Sequence, residues 1–97
     1  MERTYWVYIL ASRKGGALYI GVTSDLAGRV YLHRHGRGSQ QVARYRIFRL
    51  VYAEPHGDVT EAISREKQLK KWRRQWKIDL IESANPNWDD LYDHILA

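Results

Sequence analysis

The sequence contains no cysteine, and this absence limits its chemistry. Without a thiol the chain can form no disulfide, no thiolate metal site and no cysteine nucleophile. Long apolar runs are also missing, since none approaches the ~18 residues of a membrane span. Residues 1–4 lack the apolar segment of a signal peptide. A cytoplasmic protein without a membrane partner is therefore the default expectation.

Acidic residues are scarce in two central segments. Between Asp25 and Glu54 there are six arginines and no acid, and residues 65–77 carry seven basic residues and one acid, Glu66. The net charge of +5 is thus concentrated, as expected of a surface that contacts phosphate groups. A pair of solvated basic faces is the plainer alternative.

The 97 residues suffice for one compact domain, which we assign to residues 1–97. Three segments predict strands: residues 4–11, 17–22 and 46–54. The first carries large side chains on both faces and is expected at the centre of the sheet. Gly15 and Gly16 suit the hairpin loop that follows it. In that hairpin Tyr8 and Tyr19 are expected nearly opposite each other, on the same face.

Helices are expected over residues 26–35, 59–73 and 76–83, with a short amphipathic helix in the C-terminal tail. Thr23–Asp25 and Asp58 offer capping side chains at the first two helices. In the second helix, Glu66 lies in the same stripe as Ala62, Ile63 and Leu69. A carboxylate in an apolar stripe requires a partner, because burial of an unpaired charge is costly.

Several familiar sites are excluded by spacing. No glycine–lysine–serine/threonine run follows a strand, and the four histidines lack the spacing of metal ligands. What remains is a set of groups suited to phosphodiester hydrolysis: Tyr8, Tyr19, Arg29, His33 and Glu66. Arginine matches phosphate oxygens, and a single carboxylate can hold a hard cation that keeps its waters. A tyrosine acts as a base only where cations lower its pKa.

Together these residues resemble a known family. Val7–Ile9 and Tyr19–Gly21, followed by Arg29 and later by Glu66, are similar to the motifs of the GIY-YIG nuclease superfamily. The segments Arg65–Trp72 and Asn85–Trp88 resemble its small single-domain bacterial branch, which is related to the catalytic modules of the UvrC excision-repair nuclease and of homing endonucleases.

The resemblance implies an α+β fold, in which helices flank a three-stranded antiparallel sheet, and metal-dependent cleavage of DNA. It implies one Mg²⁺ or Mn²⁺ on Glu66. Tyr8 matches the general base or its partner, and Tyr19 the group that positions the water or the phosphate. Arg29 matches the phosphate-stabilising arginine. His33 would protonate the leaving oxygen or hydrogen-bond the phosphate.

Two supporting positions and one departure complete the comparison with the family. Gly21 matches the glycine of the second motif, and Asn85 is a candidate for the family's C-terminal asparagine or, alternatively, a residue that ends a helix. Val22 and Thr23 stand where some relatives carry a lysine beside the second tyrosine. Activation of a tyrosine base therefore needs a cation from elsewhere.

The basic segments predict contacts with the DNA backbone, although a solvated helix face remains the alternative. The candidate residues are Arg34, Arg37, Arg44, Lys67, Lys70, Lys71 and Arg74. Glu66 could also be a buried partner of Arg29, without catalysis. A DNA-binding module whose nuclease activity is degenerate, or depends on a protein partner for substrate recognition, is the alternative function.

Overall fold

The computed structural model describes residues 3–37 and 44–96. Within them the chain forms three strands and four helices of five residues or more. The strands are β1 (Tyr5–Ala11), β2 (Leu18–Thr23) and β3 (Arg49–His56), and the helices are α1 (Leu26–Arg34), α2 (Val59–Lys71), α3 (Arg74–Ala84) and α4 (Tyr92–Leu96). No helix in this part of the chain combines the length and the hydropathy that a membrane crossing requires.

β1 is the central strand of an antiparallel sheet with the order β2-β1-β3. It has this place because both of its faces are buried: Val7 and Ile9 face a core that includes Ala62 and Leu69 of α2, whereas Tyr8 faces the core formed with α1. The predicted α+β fold, with helices flanking a three-stranded antiparallel sheet, is confirmed.

The hairpin register brings the two motif tyrosines onto one face, as expected. Tyr8 pairs with Gly21, and Leu10 pairs with Tyr19. The tyrosines are therefore diagonal neighbours, with ring centroids 6.4 Å apart. We expected them nearly opposite each other, but the pairing register sets them two residues apart along the strands.

The third strand departs most from its prediction. It spans Arg49–His56 rather than residues 46–54, and it includes Pro55. Proline is tolerated here because β3 is an edge strand. An irregularity between the pairs Ile9–Tyr52 and Leu10–Leu50 leaves Val51 as an extra residue. Tyr52 consequently packs in the core on the α2 side, opposite to Leu50, whereas a regular strand would place residues 50 and 52 on the same face.

The helix positions agree with expectation, but their ends and one packing contact differ. α1 is capped by Asp25, whose Oδ1 accepts the Gly28 N–H at 3.1 Å. α2 ends at Lys71 rather than at residue 73, and α3 begins at Arg74 rather than at residue 76. Ile63, expected in the inward stripe of α2, is 38% exposed.

The segment after α3 is held by Asn85. Its side-chain amide donates to the carbonyls of Val51 and Asp89 at 3.0 and 2.9 Å, and its oxygen accepts the Asp89 N–H at 3.0 Å. Trp88 beside it is fully buried and donates from Nε1 to Glu82 at 2.7 Å. Asn85 thus ends α3 and anchors the next loop, and its match to the family's C-terminal asparagine stays a prediction.

Candidate active site

Tyr8 lies at the centre of the candidate site. Its side chain is fully buried, and its Oη is 3.0 Å from Nε2 of His33 on α1. The tyrosine ring crosses directly over Gly21, where an added Cβ would stand 2.4 Å from Oη and 2.5 Å from Cζ. Glycine is needed at position 21 because no side chain fits beneath the tyrosine.

The other predicted groups converge on this phenol. Burial raises the pKa of Tyr8 above its ordinary value, and so does the neighbouring Tyr19, whereas the Arg29 guanidinium lowers that pKa. The Glu66 carboxylate raises it further by the smallest contribution. Residues from β1, β2, α1 and α2 thus lie close enough to act on one hydroxyl group.

Solvent access divides the cluster into an inner and an outer layer. Tyr8 and His33 have no exposed surface, whereas Arg29 is exposed and Tyr19 is half-buried. The Tyr19 ring meets His33 edge-on, with centroids 5.1 Å apart. Tyr8 and His33 are therefore closed to solvent in this structure, and the roles that the family resemblance implies for them stay predictions.

His33 is neutral by preference. Burial lowers its pKa below the ordinary value of 6.5, and the positive charge of Arg29 lowers it further. Its Nδ1 is buried and has no hydrogen-bond partner among the described residues. A proton added to this ring would therefore lack a partner and would lie near another cation.

Glu66 keeps most of its acceptor capacity. Its side chain is 15% exposed, and its Oε2 accepts one hydrogen bond from Lys70 Nζ at 3.1 Å, one turn further along α2. The ion pair found in the described residues thus joins Glu66 to Lys70, not to Arg29. Residues 3–37 and 44–96 contain no group of three or more metal-ligating histidine, aspartate or glutamate side chains. The donor set is that of a single-carboxylate site, which suits a hard cation that retains its waters.

The sequence did not reveal the cations beside Tyr19. Leu18, Tyr19 and Ile20 of β2 line one pocket together with Lys70 and Lys77. The lysines that line this pocket with Tyr19 thus come from two helices far along the chain, whereas positions 22 and 23 carry none. The basic segment was visible in the sequence, but nothing local could show which of its members faces β2.

Two of the predicted DNA contacts have structural partners instead. Arg34 forms an ion pair with Asp90 and lies 4.3 Å over the ring of Tyr92, so it joins α1 to the C-terminal segment. Arg74 donates to the carbonyls of Gly15 and Gly16, both at 2.7 Å, and so holds the hairpin loop.

The other candidate cations are exposed: Arg37, Arg44, Lys67, Lys70 and Lys71. Their contact with DNA stays a prediction.

Comparison with known proteins agrees with this geometry. The model of the GIY-YIG catalytic domain matches residues 4–79. A UPF0213 protein of Staphylococcus epidermidis is 35% identical over 80 residues, which cover 82% of this chain and 96% of that protein. A UPF0213 protein of Staphylococcus aureus is 35% identical over 79 residues, which cover 81% of this chain and 95% of that protein.

A solved structure shares the fold. The solution NMR structure of a UPF0213 protein from Bacillus halodurans matches with a TM-score of 0.56 and 29% identity, covering 90% of this chain and 92% of that one. The fold and the site thus define a domain of the nuclease class. The chain belongs to the GIY-YIG catalytic domain family, and the relatives named here are UPF0213 proteins.

Proposed function

We propose that this chain is a metal-dependent endonuclease that hydrolyses DNA phosphodiester bonds, with branched or damaged DNA as its substrate. The observation that carries the proposal is the packing of Tyr19 and His33 against the buried Tyr8, with Arg29 and Glu66 close enough to act on the pKa of Tyr8. An exposed guanidinium is suited to a phosphate, and a carboxylate with spare acceptor capacity is suited to a cation.

The outer layer carries the chemistry in this proposal. Arg29 binds the scissile phosphate and offsets the charge that develops on it, since a guanidinium is permanently charged and matches phosphate oxygens. Tyr19 positions the attacking water, because of the two tyrosines it alone is open to solvent. Lys70 and Lys77, which line the same pocket as Tyr19, would add positive charge for the phosphate.

The buried residues Tyr8 and His33 keep the solvent-facing residues of the site in position. The hydrogen bond between Tyr8 and His33 joins β1 to α1, and the edge contact of His33 orients the Tyr19 ring. Glu66 would hold one Mg²⁺ or Mn²⁺, which when bound supplies positive charge at the phosphoryl oxygen.

Cleavage assays test this proposal. The purified chain is incubated with flap, branched, nicked and plain duplex DNA, in Mg²⁺ or Mn²⁺ and in chelator. We expect metal-dependent cutting that falls about 100-fold or more in Arg29→Ala and Glu66→Gln, as when a transition-state contact is lost. Arg13→Ala is the matched control, because Arg13 is an exposed arginine outside both the candidate site and the predicted DNA contacts, and it should cut at nearly the native rate. Native activity in Glu66→Gln would overturn the proposed site.

A DNA-binding module without efficient cleavage is the second candidate. It is favoured by the closure of Tyr8 and His33 to solvent and by the Lys70 side chain on Glu66. Recognition of the substrate would then come from a protein partner. Salt-sensitive DNA binding without metal-dependent cutting by the native chain would select this candidate.

A further inference from the structure

A tryptophan on α3 is exposed in a way that the candidate active site does not explain. Trp76 has 48% of its surface exposed, whereas Trp88 is fully buried. The core-facing side of α3 is formed by Ile78 and Ile81 instead. An indole left half in water forgoes much of the stabilisation that its burial would give.

Trp76 is nevertheless ordered by its neighbours. The Arg73 guanidinium lies 4.7 Å from the centroid of its ring, and Trp72 meets it edge-on with centroids 6.0 Å apart. Together with Leu80, the two tryptophans line a shallow groove, at whose rim Asp79 accepts a hydrogen bond from Gln75. The indole is therefore presented as a fixed aromatic plane beside a cation.

Positive charge is frequent in the chain near this plane. Between residues 70 and 77 the basic residues are Lys70, Lys71, Arg73, Arg74 and Lys77, of which Arg73 contacts the indole. A polyanion complements such a surface, whereas a second copy of the chain would bring an equal positive charge against it. Aromatic planes interleaved with cations are the arrangement that binds single-stranded nucleic acid by stacking of its bases.

The plane begins one residue away from the pocket of the candidate active site. Lys77, which follows Trp76 on α3, lines the pocket that contains Tyr19. Nucleic acid that reaches the indole from the site would pass around α3 at this point. A base inside a duplex is already stacked on both sides, so only an unpaired base can use the tryptophan.

We propose that Trp76 and Arg73 form a stacking site for an unpaired base of the nucleic acid beside the candidate active site. The inference deepens the proposed function, on which its meaning for cleavage rests, by naming DNA with a single-stranded segment as the substrate class. The stacking itself requires neither metal nor cutting.

Binding without metal tests the stacking site directly. The probe is a labelled single-stranded oligothymidylate of about ten nucleotides, within the range that one small domain covers. In chelator, Trp76→Ala should bind this probe about 10-fold more weakly than the native chain, and Trp76→Phe should recover most of the loss. Binding of a plain duplex should change less than about twofold, since its bases are stacked already.

Tyr45→Ala is the matched control. Tyr45 is 55% exposed and also has an arginine over its ring, Arg44 at 5.5 Å, but it lies in the segment before β3, far along the chain from α3. Equal losses in Tyr45→Ala and Trp76→Ala, or no loss in either, would overturn the inference. So would a concentration-dependent dimer that Trp76→Ala abolishes while oligothymidylate binding is kept.

Cleavage then separates the inference from the proposed function. If the native chain cuts flap and plain duplex DNA and Trp76→Ala loses only the preference for the flap, both stand. Cutting by the native chain with no change of preference in Trp76→Ala overturns the stacking site alone. A native chain that cuts nothing, but binds the single strand through Trp76, overturns the nuclease and retains the stacking site.

Discussion

Two clusters in this protein contain the same four kinds of residue: a tyrosine, a histidine, an arginine and a glutamate. The hydrogen bonds between these residues differ from one cluster to the other. The Tyr8 cluster is the candidate active site and also includes Tyr19. The Glu54 cluster lies on the edge strand β3 and on α2. Its members are Tyr52, Glu54, His56 and Arg65.

In the Glu54 cluster the carboxylate is saturated. It accepts from Tyr52 Oη at 2.6 Å, from His56 Nε2 at 2.7 Å and from Arg65 Nε at 3.0 Å. Burial alone would raise the pKa of Glu54, but these hydrogen bonds outweigh burial and hold that pKa below its ordinary value. Burial and the Glu54 carboxylate in turn raise the pKa of Tyr52 to about 12.

In the Tyr8 cluster the carboxylate is nearly free. Glu66 has one partner, Lys70, whose own side chain is 53% exposed and can leave at little cost. The tyrosine and the histidine bond each other instead of the acid. The comparison teaches that the kinds of residue do not define a site, whereas unused bonding capacity next to solvent does.

The largest expected effect comes from replacing each of the two glutamates by glutamine. Glu66→Gln should lower DNA cleavage about 100-fold or more, because it removes the carboxylate charge that would hold the cation, and should leave the free energy of unfolding nearly unchanged. Glu54→Gln should do the reverse, lowering the free energy of unfolding by about 1–3 kcal/mol as its partners lose their acceptor. Cleavage rates and denaturant unfolding of both variants measure the two effects. If both variants lost cleavage and stability to the same extent, the proposed difference between the clusters would be wrong.

The next largest effect is expected at Gly21, the glycine beneath the Tyr8 ring. Gly21→Ala should lower the free energy of unfolding by about 1–3 kcal/mol, since its Cβ would overlap the buried Tyr8 ring. The control is Gly57→Ala beside the Glu54 cluster, where an added Cβ meets no atom within 4 Å. Thermal unfolding of the two variants should separate clearly, and equal stability would contradict the packing described for Tyr8.

The two tyrosine hydroxyls should differ by a smaller amount. Tyr8→Phe leaves fully buried His33 without its partner and should cost about 2 kcal/mol of unfolding free energy. Tyr52→Phe should cost about 1 kcal/mol, because Glu54 keeps two other donors. Urea unfolding measures both costs. A larger cost for Tyr52→Phe would reverse the assignment of the inner layer.

The smallest effect is on the pH dependence of stability. The folded chain lowers the pKa of His33 below 6.5, so as the pH falls below 6.5 the unfolded chain binds a proton that the native state does not. The free energy of unfolding should therefore decline below pH 6.5, by at most about 1.4 kcal/mol per pH unit, and His33→Gln should remove this decline.

Glu54 should act in a lower window. Its pKa lies below 4.5 in the folded chain, so its contribution is complete above pH 4.5 and is lost as the pH falls further. Unfolding measured across both windows distinguishes the clusters. A His33→Gln variant that declines like the native chain would show that His33 takes up protons freely in the fold.

Much of this architecture follows from local pattern. Alternation and chain reversal at Gly15 and Gly16 place Tyr8 and Tyr19 on one face, and the position of Glu66 in an apolar stripe marks it as unusual before any fold is known. These features were predictable because strand and helix periods depend on neighbouring residues alone.

Other features depend on contacts between distant segments. The extra residue at Val51 turns Tyr52 toward α2 and so creates the Glu54 cluster, which strict alternation could not predict. Lys77 lines the same pocket as Tyr19 only because tertiary packing brings the start of α3 to the β1–β2 hairpin, where Arg74 bonds the loop. Burial of Tyr8 and His33 likewise results from the docking of α1 on the sheet. Strand and helix periodicity decides which side chains share a face. Tertiary packing decides which of these side chains keep unused hydrogen-bonding capacity and stay open to a substrate.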